Sequence, residues 1–418
     1  MISTETYALG GCLPRSVEQP ADAAGVAAAL KACADAGEAA VLFGGGTLTS
    51  IGNAPLRYDR AIVLGRLDRI ATYDPRDLTI GIEAGMTIET IVRRLAEERQ
   101  FIPFDVPRPA RATVGGTLAS GWAGPRRMTY GHLRDLVIGS TAALTDGTLA
   151  TAGGMVVKNV TGYDMSKLYV GSLGTLGAIV RANFKTLPRP AAARLAVAPL
   201  PADVEERAVA ALAQLTVQPT AVLVIRGFPS NTSKVQNEAT RSIVLFEGSV
   251  ATIDRATREL RSQLGAAGVA RTHLLEGADA ERTLQETVDS YIEPVADRSV
   301  TYRERGLPAT AWARANAARA ALDGTGLTAD TIADLRTGDV VVRIAGDSRA
   351  AIDDRLPEAD AAVRRTLERA TLLAGEPALR AKLDAWGSVP ATIETMRTLK
   401  ARFDPTATLA PGRYVGGI

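Results

Sequence analysis

The sequence predicts an α+β protein. A first domain, residues 1–190, mixes helices with short strands, and a second, residues 191–390, carries an antiparallel sheet backed by helices. A C-terminal helix and tail follow over residues 391–418. Three observations predict this. A helical pattern and a short apolar run lead straight into Gly44-Gly45-Gly46-Thr47. From Ile70, β-rich runs separated by turn residues replace that alternation. Beyond Pro188-Arg189-Pro190, which reads as a domain boundary, three β-branched runs stand out at Ala221–Arg226, 242–246 and 340–344.

The elements follow in order. Residues 22–36 form a helix entered after Pro20 and closed by Gly37. Residues 40–43 are a short buried strand, and 61–64 a second one after a polar loop. Residues 70–73 and 78–82 are strands joined by the turn Asp74-Pro75-Arg76-Asp77. Ile88, Ile91, Val92 and Leu95 recur at helical spacing as one apolar stripe, with Thr87 as the N-cap. Strands at 136–144 and 178–187 close the first domain. In the second domain amphipathic helices lie between the strands. The clearest sets Ile253, Thr257, Leu260 and Leu264 in register and stops at Gly265. A last helix, 393–403, precedes Asp404-Pro405, and no internal repeat is visible.

A chain of 418 residues is too long for one compact core and suits two or three domains. Its net charge of +2 argues against a nucleic-acid or anionic-membrane partner. Cys12 and Cys33 are the only cysteines, too few for an iron–sulfur cluster or a disulfide framework. Cys33 lies in an Ala-rich helical pattern and reads as a small buried hydrophobe. The first 20 residues lack a signal-peptide pattern, and no 18-residue apolar run exists. The expectation is a cytoplasmic protein with no transmembrane segment, reaching a membrane only through partners.

Three segments carry the chemistry. In Gly44-Gly45-Gly46-Thr47-Leu48-Thr49-Ser50, consecutive glycines let backbone N–H groups converge on an anion. The hydroxyls of Thr47, Thr49 and Ser50 are further donors, and a plain tight turn is the other reading. The pattern is not G-x-G-x-x-G, so a nicotinamide-type dinucleotide fold is not supported. The second segment is Ala112-Thr113-Val114-Gly115-Gly116-Thr117-Leu118-Ala119-Ser120-Gly121-Trp122-Ala123-Gly124-Pro125-Arg126-Arg127. By propensity it is neither helix nor strand, and it reads as backbone held close to a flat ligand. In the third, Lys158-Asn159-Val160-Thr161-Gly162-Tyr163-Asp164 and a short helical piece lead into Gly171-Ser172-Leu173-Gly174-Thr175-Leu176-Gly177 and a strand. Arg126, Arg127 and Arg134 are candidates for anchoring a carboxylate or pyrophosphate, because a guanidinium binds such groups bidentately. Each equally suits a structural ion pair.

In this order the three segments resemble the FAD-binding domain of the vanillyl-alcohol-oxidase, or PCMH-type, family. Gly124-Pro125-Arg126-Arg127, Gly131, Arg134-Asp135 and the third segment are similar to the branch formed by glycolate oxidase E subunits. The ending Phe403-Asp404-Pro405 … Leu409-Ala410-Pro411-Gly412-Arg413 resembles the family's tail, with Ala410 where the family has Asn. The strong matches cover residues 40–190 and the last 20. The resemblance implies a PCMH-type FAD-binding domain of two subdomains, an α+β cap domain, and a tail that returns to the FAD domain. It implies that 44–50 wraps the FAD pyrophosphate, that 113–121 lines the flavin and ribityl side, and that Ile179 lies near the adenine. The implied cofactor residues are Gly44, Gly45, Gly46, Thr47, Leu48, Thr49, Thr113, Val114, Gly115, Gly116, Thr117, Ala119, Ser120, Gly121, Arg127, Tyr130, Gly174, Gly177 and Ile179.

Relatives that tether flavin covalently carry His or Cys in the glycine loop or beside the flavin ring. Neither segment has one here, so the FAD is expected to be non-covalent. Relatives that oxidise 2-hydroxy acids hold a divalent metal with histidines of the cap domain. With only His132 and His273, this sequence offers no such set, and no metal site is expected. His132 follows the second segment and reads as structural. The function implied is the FAD-binding subunit of a glycolate (or D-lactate) oxidase or dehydrogenase complex. Its partners would be a sister FAD subunit, an iron–sulfur subunit and a small 2-hydroxy acid. A non-catalytic, electron-relay assembly subunit and a stand-alone flavin-dependent alcohol oxidase are the alternatives.

Overall fold

The computed structural model describes residues 3–156, 162–228, 240–295 and 297–418, so Lys158, Asn159, Val160 and Thr161 of the third segment lie outside the described residues. The chain divides into two units. One comprises Met1–Ala123, Gly131–Arg189 and Asp384–Ile418, the other Gly124–Tyr130 and Pro190–Leu383. Residues 124–130, assigned by sequence to the first domain, thus belong to the second unit, and 384–390 to the first.

In the first unit, β1 (Ser16–Glu18), β2 (Ala40–Phe43) and β3 (Arg60–Val63) form a parallel sheet in the order β1-β3-β2. Helix α1 (Ala23–Ala36) joins β1 to β2. Asp22 caps it by accepting from the Gly25 N–H at 2.8 Å, and Gly37, at φ +68°, ends it. The helix buries Val26, Leu30 and Cys33, and burial pushes the Cys33 thiol up to about 11, a neutral filler of the core.

Strands β4 (Ile70–Asp74), β5 (Thr79–Glu83), β6 (Val137–Ala143), β7 (Leu149–Gly153) and β8 (Ala178–Lys185) form an antiparallel sheet in the order β4-β5-β8-β6-β7. Asp74 Oδ1 accepts from the N–H groups of Arg76 and Asp77 and shapes the β4–β5 turn. Helix α2 (Ile88–Glu97) starts at the Thr87 cap and buries Ile88, Ile91 and Leu95. Val92, counted in the stripe by sequence, is exposed. At about 100° per residue it stands roughly 70° off the centre of the other three. Two strand readings also shorten. Leu133–Leu136 makes a helical turn before β6, and Leu187–Pro188 leaves β8 to pair with Gln100–Phe101.

The second unit is one eight-stranded antiparallel sheet built twice over. Its first half runs β9 (Ala192–Pro199), α4 (Glu205–Ala213), β10 (Ala221–Arg226), β11 (Thr240–Gly248), α5 (Val250–Ala266) and β12 (His273–Glu276). The second runs β13 (Ser299–Arg305), α6 (Ala311–Ala320), β14 (Thr328–Asp334), β15 (Asp339–Ala345), α7 (Arg349–Thr366) and β16 (Thr371–Gly375). The strand orders are β12-β9-β11-β10 and β16-β13-β15-β14, joined where β10 pairs with β14. Each half is a βαββαβ unit of the same topology. The duplication is one of element order, which leaves no repeat in the sequence. Gly265 does not stop α5 but lies within it, and the turn falls at Gly268, φ +98°.

Strand alternation gives this sheet two chemically different faces. On one, Arg226 bonds Glu205 of α4 and Asn316 of α6, and Tyr302 donates to Asp360 of α7 at 2.9 Å. On the other stand Arg241, Arg303, Asp334, Asp339 and Arg343, all buried.

Candidate functional site

The glycine turn, residues 112–121 and residues 171–177 of the three segments meet within the first unit. Strand β2 runs into Gly44-Gly45-Gly46, and this turn lies against residues 111–113. A Cβ on Gly44 would stand 2.1 Å from Thr113 Oγ1, and one on Gly45 would stand 1.6 Å from the Arg111 carbonyl oxygen. Only Gly46 of the three needs the left-handed region, at φ +69°. Gly44 is therefore required by the Thr113 side chain and Gly45 by the close approach of the Arg111 backbone, more than by a turn conformation. Thr49 Oγ1 donates to Gly46 O at 3.4 Å, and Leu48 is buried beneath the loop.

The glycine-rich run that propensity denies any regular structure contains a helix, α3 (Val114–Ser120). Thr113 Oγ1 caps it by accepting from the Gly116 N–H at 3.3 Å, and Gly121 closes it at φ +61°. Tertiary packing overrides propensity here. A Cβ on Gly115 would stand 2.8 Å from that of Ala84, so the glycine lets the helix settle on the chain leaving β5. Val114, Thr117 and Leu118 are buried.

The third segment docks on the end of α3. The N–H groups of Gly171 and Leu173 donate to Leu118 O and Ala119 O at 2.9 and 2.8 Å. A Cβ on Gly121 would meet the Gly171 Cα at 3.0 Å. Gly174, at φ +73°, packs on Leu42, and Gly177 on Leu144 and Tyr169. Ile179 is a buried residue of β8 paired with Ala142. Ser120 Oγ donates to Thr117 O at 3.0 Å.

Three features of this cluster fit a bound FAD. Apart from its chain neighbours and the backbone of its own helix, a Cβ on Gly116 would find among the described residues only Thr113 Oγ1, at 3.2 Å, within contact range, so α3 offers bare backbone there. Thr117 Oγ1 is buried with no hydrogen-bond partner among the described residues, an arrangement that costs free energy unless a ligand satisfies it. The exposed Arg111 bonds Gly45 O at 3.2 Å and so sets a guanidinium beside the glycine loop. Sequence reading missed Arg111, because a lone arginine two residues before Thr113 carries no motif.

The arginines that sequence did single out lie elsewhere. Arg126 pairs with Glu247, Nη2–Oε1 3.0 Å, and Arg127 grips Asp339 with two bonds of 2.8 and 2.6 Å, all inside the second unit. Asp339 is shared with Arg303, whose Nε donates at 2.8 Å. Both candidates are thus committed to carboxylates of the protein. Tyr130 ends the short helix that Arg127 begins, also in the second unit. Arg134 is exposed beside Asp135 at 3.8 Å. His132 caps the turn at Leu133–Leu136, its Nδ1 accepting from the Arg134 N–H at 3.3 Å. Among the described residues no group of three or more His, Cys, Asp or Glu side chains could hold a metal.

Two buried carboxyls near Arg127 titrate in opposite directions. Burial raises Asp334 to about 6, with the charge of Asp339 adding to it against hydrogen bonds from Thr337 and Arg336. Burial would raise Asp339 too, but Arg303 and Arg127 outweigh it and hold it near 2. The raised Asp334 means that the fold penalises its charged form. That penalty is absent below its unfolded value near 3.8 and complete above about pH 6. Asp334→Asn keeps an oxygen for the Arg336 and Thr337 N–H groups and removes the charge. Denaturant unfolding should show it more stable than wild type at pH 7.5, by at most about 3 kcal/mol, and indistinguishable at pH 3.5. Equal differences at both pH values would rule out this account.

The tail completes the first unit. Asp404 accepts from the N–H groups of Thr408 and Leu409, and Ala410 takes φ +44° beside β2. That left-handed conformation suits the Asn found in the resembling tails better than Ala. No described helix is long and apolar enough to cross a membrane.

Comparison with known proteins agrees with this geometry. Residues 14–153 match the FAD binding domain family, and FAD is the cofactor of this domain. Glycolate oxidase subunit GlcE of Escherichia coli is 43% identical over 124 residues, 29% of this chain and 35% of that protein. Glycolate oxidase subunit GlcD of Bacillus subtilis is 30% identical over 178 residues, 43% and 38% respectively. The chain therefore spans little more than a third of the length of these relatives. Among solved structures, p-cresol methylhydroxylase with substrate bound superposes with a TM-score of 0.67 at 16% identity, covering 95% of this chain and 88% of that one. The fold is the α+β PCMH-type FAD-binding fold.

Proposed function

We propose that this chain is an FAD-dependent oxidoreductase subunit acting on the CH–OH group of a small 2-hydroxy acid, within a complex of the glycolate oxidase kind. The observation that carries the reading is the similarity to glycolate oxidase subunits, 43% identity over 124 residues and 30% over 178. In this reading bound FAD would supply the hydride acceptor for the CH–OH carbon. The residues would hold and orient it: Arg111 and the 44–46 backbone would hold the pyrophosphate, the bare stretch at Gly116 would take the flavin and ribityl side, and Thr117 Oγ1 would donate to a cofactor oxygen. The partners are a sister FAD subunit and an iron–sulfur subunit. Two cysteines in 418 residues cannot carry a cluster, so an iron–sulfur route for the electrons needs another chain unless O₂ or a quinone reacts directly.

A second reading, an electron-relay or assembly subunit that does not itself oxidise substrate, is favoured by Arg126 and Arg127. Both are occupied by Glu247 and Asp339 instead of facing a substrate carboxylate. Anaerobic stopped-flow mixing separates both readings from a stand-alone oxidase. The isolated chain should bleach its flavin very slowly or not at all with glycolate and D-lactate, and co-expression with the partner subunits should restore bleaching. Rapid bleaching by the chain alone, near a common turnover of about 10 s⁻¹, would overturn the complex and favour a stand-alone oxidase.

The cofactor is non-covalent in this proposal, because no His or Cys occurs in residues 44–50 or 112–124. Acid precipitation of the yellow protein should leave all FAD in the supernatant. Flavin retained in the pellet would contradict it.

A further inference from the structure

We propose that the C-terminal tail is a latch that shapes the cofactor loops, with Arg413 and Lys400 as positioning residues; the proposal rests on the FAD reading of those loops. Residues 47–59 form no strand or helix, so the carbonyls of this loop need donors from elsewhere. Arg413 supplies them. Its Nη1 donates to Asn53 O at 3.1 Å, and its Nη2 to Thr49 O and Ile51 O at 3.1 and 2.6 Å. In return the Asn53 N–H donates to Arg413 O at 3.0 Å, and so does Trp386 Nε1 at 2.9 Å. Gly52, at φ +88°, makes room, since a Cβ there would stand 2.6 Å from Arg413 O.

Lys400 does the same for the third segment. From α8 (Ile393–Phe403), its buried ammonium donates to Thr175 O at 3.0 Å and Leu409 O at 2.8 Å, and pairs with Asp404 at 2.5 Å. The tail also lies along β2, where the Ala40 N–H donates to Thr408 O and the Ala410 N–H to Ala40 O. One tail thereby fixes the strand before the glycine turn, the loop after it, and the turn at 172–175. None of these bonds involves the cofactor. Their effect is preorganisation: loops already in their binding shape lose less conformational freedom when FAD binds.

The test uses full-length, deflavinated protein titrated with FAD and followed by flavin fluorescence. Amide hydrogen exchange of residues 47–56 is measured alongside. Arg413→Met should weaken FAD binding by about tenfold or more and speed exchange in that loop. Arg413→Lys keeps the charge but gathers its donors on one nitrogen, where the guanidinium uses two separate nitrogens to reach Asn53, Thr49 and Ile51, so it should fall between, and it serves if the Met variant fails to fold. Lys400→Met should weaken binding without faster exchange at 47–56. FAD affinity within about twofold of wild type in the Arg413 variants, with faster loop exchange, overturns the latch. Wild-type protein that takes up no FAD overturns the cofactor reading itself and the latch with it.

Discussion

Gly116→Val is expected to give a folded protein without flavin, while Gly45→Val is expected not to accumulate as folded protein. The two glycines are alike in sequence and opposite in surroundings. A Cβ at position 45 would lie 1.6 Å from the Arg111 carbonyl oxygen. That atom is backbone, so the two segments must separate, at a cost of about 3 kcal/mol or more. At Gly116 the nearest atom is the Thr113 hydroxyl at 3.2 Å. The residue lies inside α3, where replacing glycine by a side chain also lowers the entropy cost of the helix by a few tenths of a kcal/mol or more. The added methyls therefore occupy the surface assigned to the cofactor and little else. Thermal unfolding of deflavinated samples and the flavin-to-protein absorbance ratio check both halves. Full flavin content in Gly116→Val would show that the cofactor does not run along α3, and a well-folded Gly45→Val would refute the backbone contact.

Asp339→Leu should be the most destabilising single change in the second unit that leaves the first untouched. It strands Arg127 and Arg303 together in a buried place, and breaking such a pair typically costs about 3–5 kcal/mol. Arg127→Met should cost less, because Asp339 keeps Arg303. The triple variant Arg127→Met, Arg303→Met, Asp339→Leu removes every member of the cluster. It should recover most of the loss, since apolar replacements of similar volume are often neutral or stabilising. Urea unfolding followed by a probe in the second unit gives the comparison. A triple variant as unstable as Asp339→Leu would mean that packing around residue 339, not charge, sets the cost.

Much of the secondary structure was determined by sequence alone, because local patterns suffice for it. Ala40–Phe43, Ala221–Arg226 and Ile393–Phe403 fall where apolar runs, β-branched runs and turn residues place them. The glycine segments were equally visible, since residues without side chains mark places where backbone must come close to something. Tertiary structure decided what that something is. For Gly44 and Gly45 it is the chain at 111–113, and for Gly115 it is Ala84. Helix α3 forms against its own propensity because Thr113 and Gly121 cap it and glycine permits its close packing. The arginines show the same limit. Arg126 and Arg127 find their carboxylates 121 and 212 residues away, and Lys400 and Arg413 find their carbonyls up to 225 and 364 residues away. A charge on its own has no period and no local partner, so only the folded chain shows whether it waits for a ligand or already holds a neighbour.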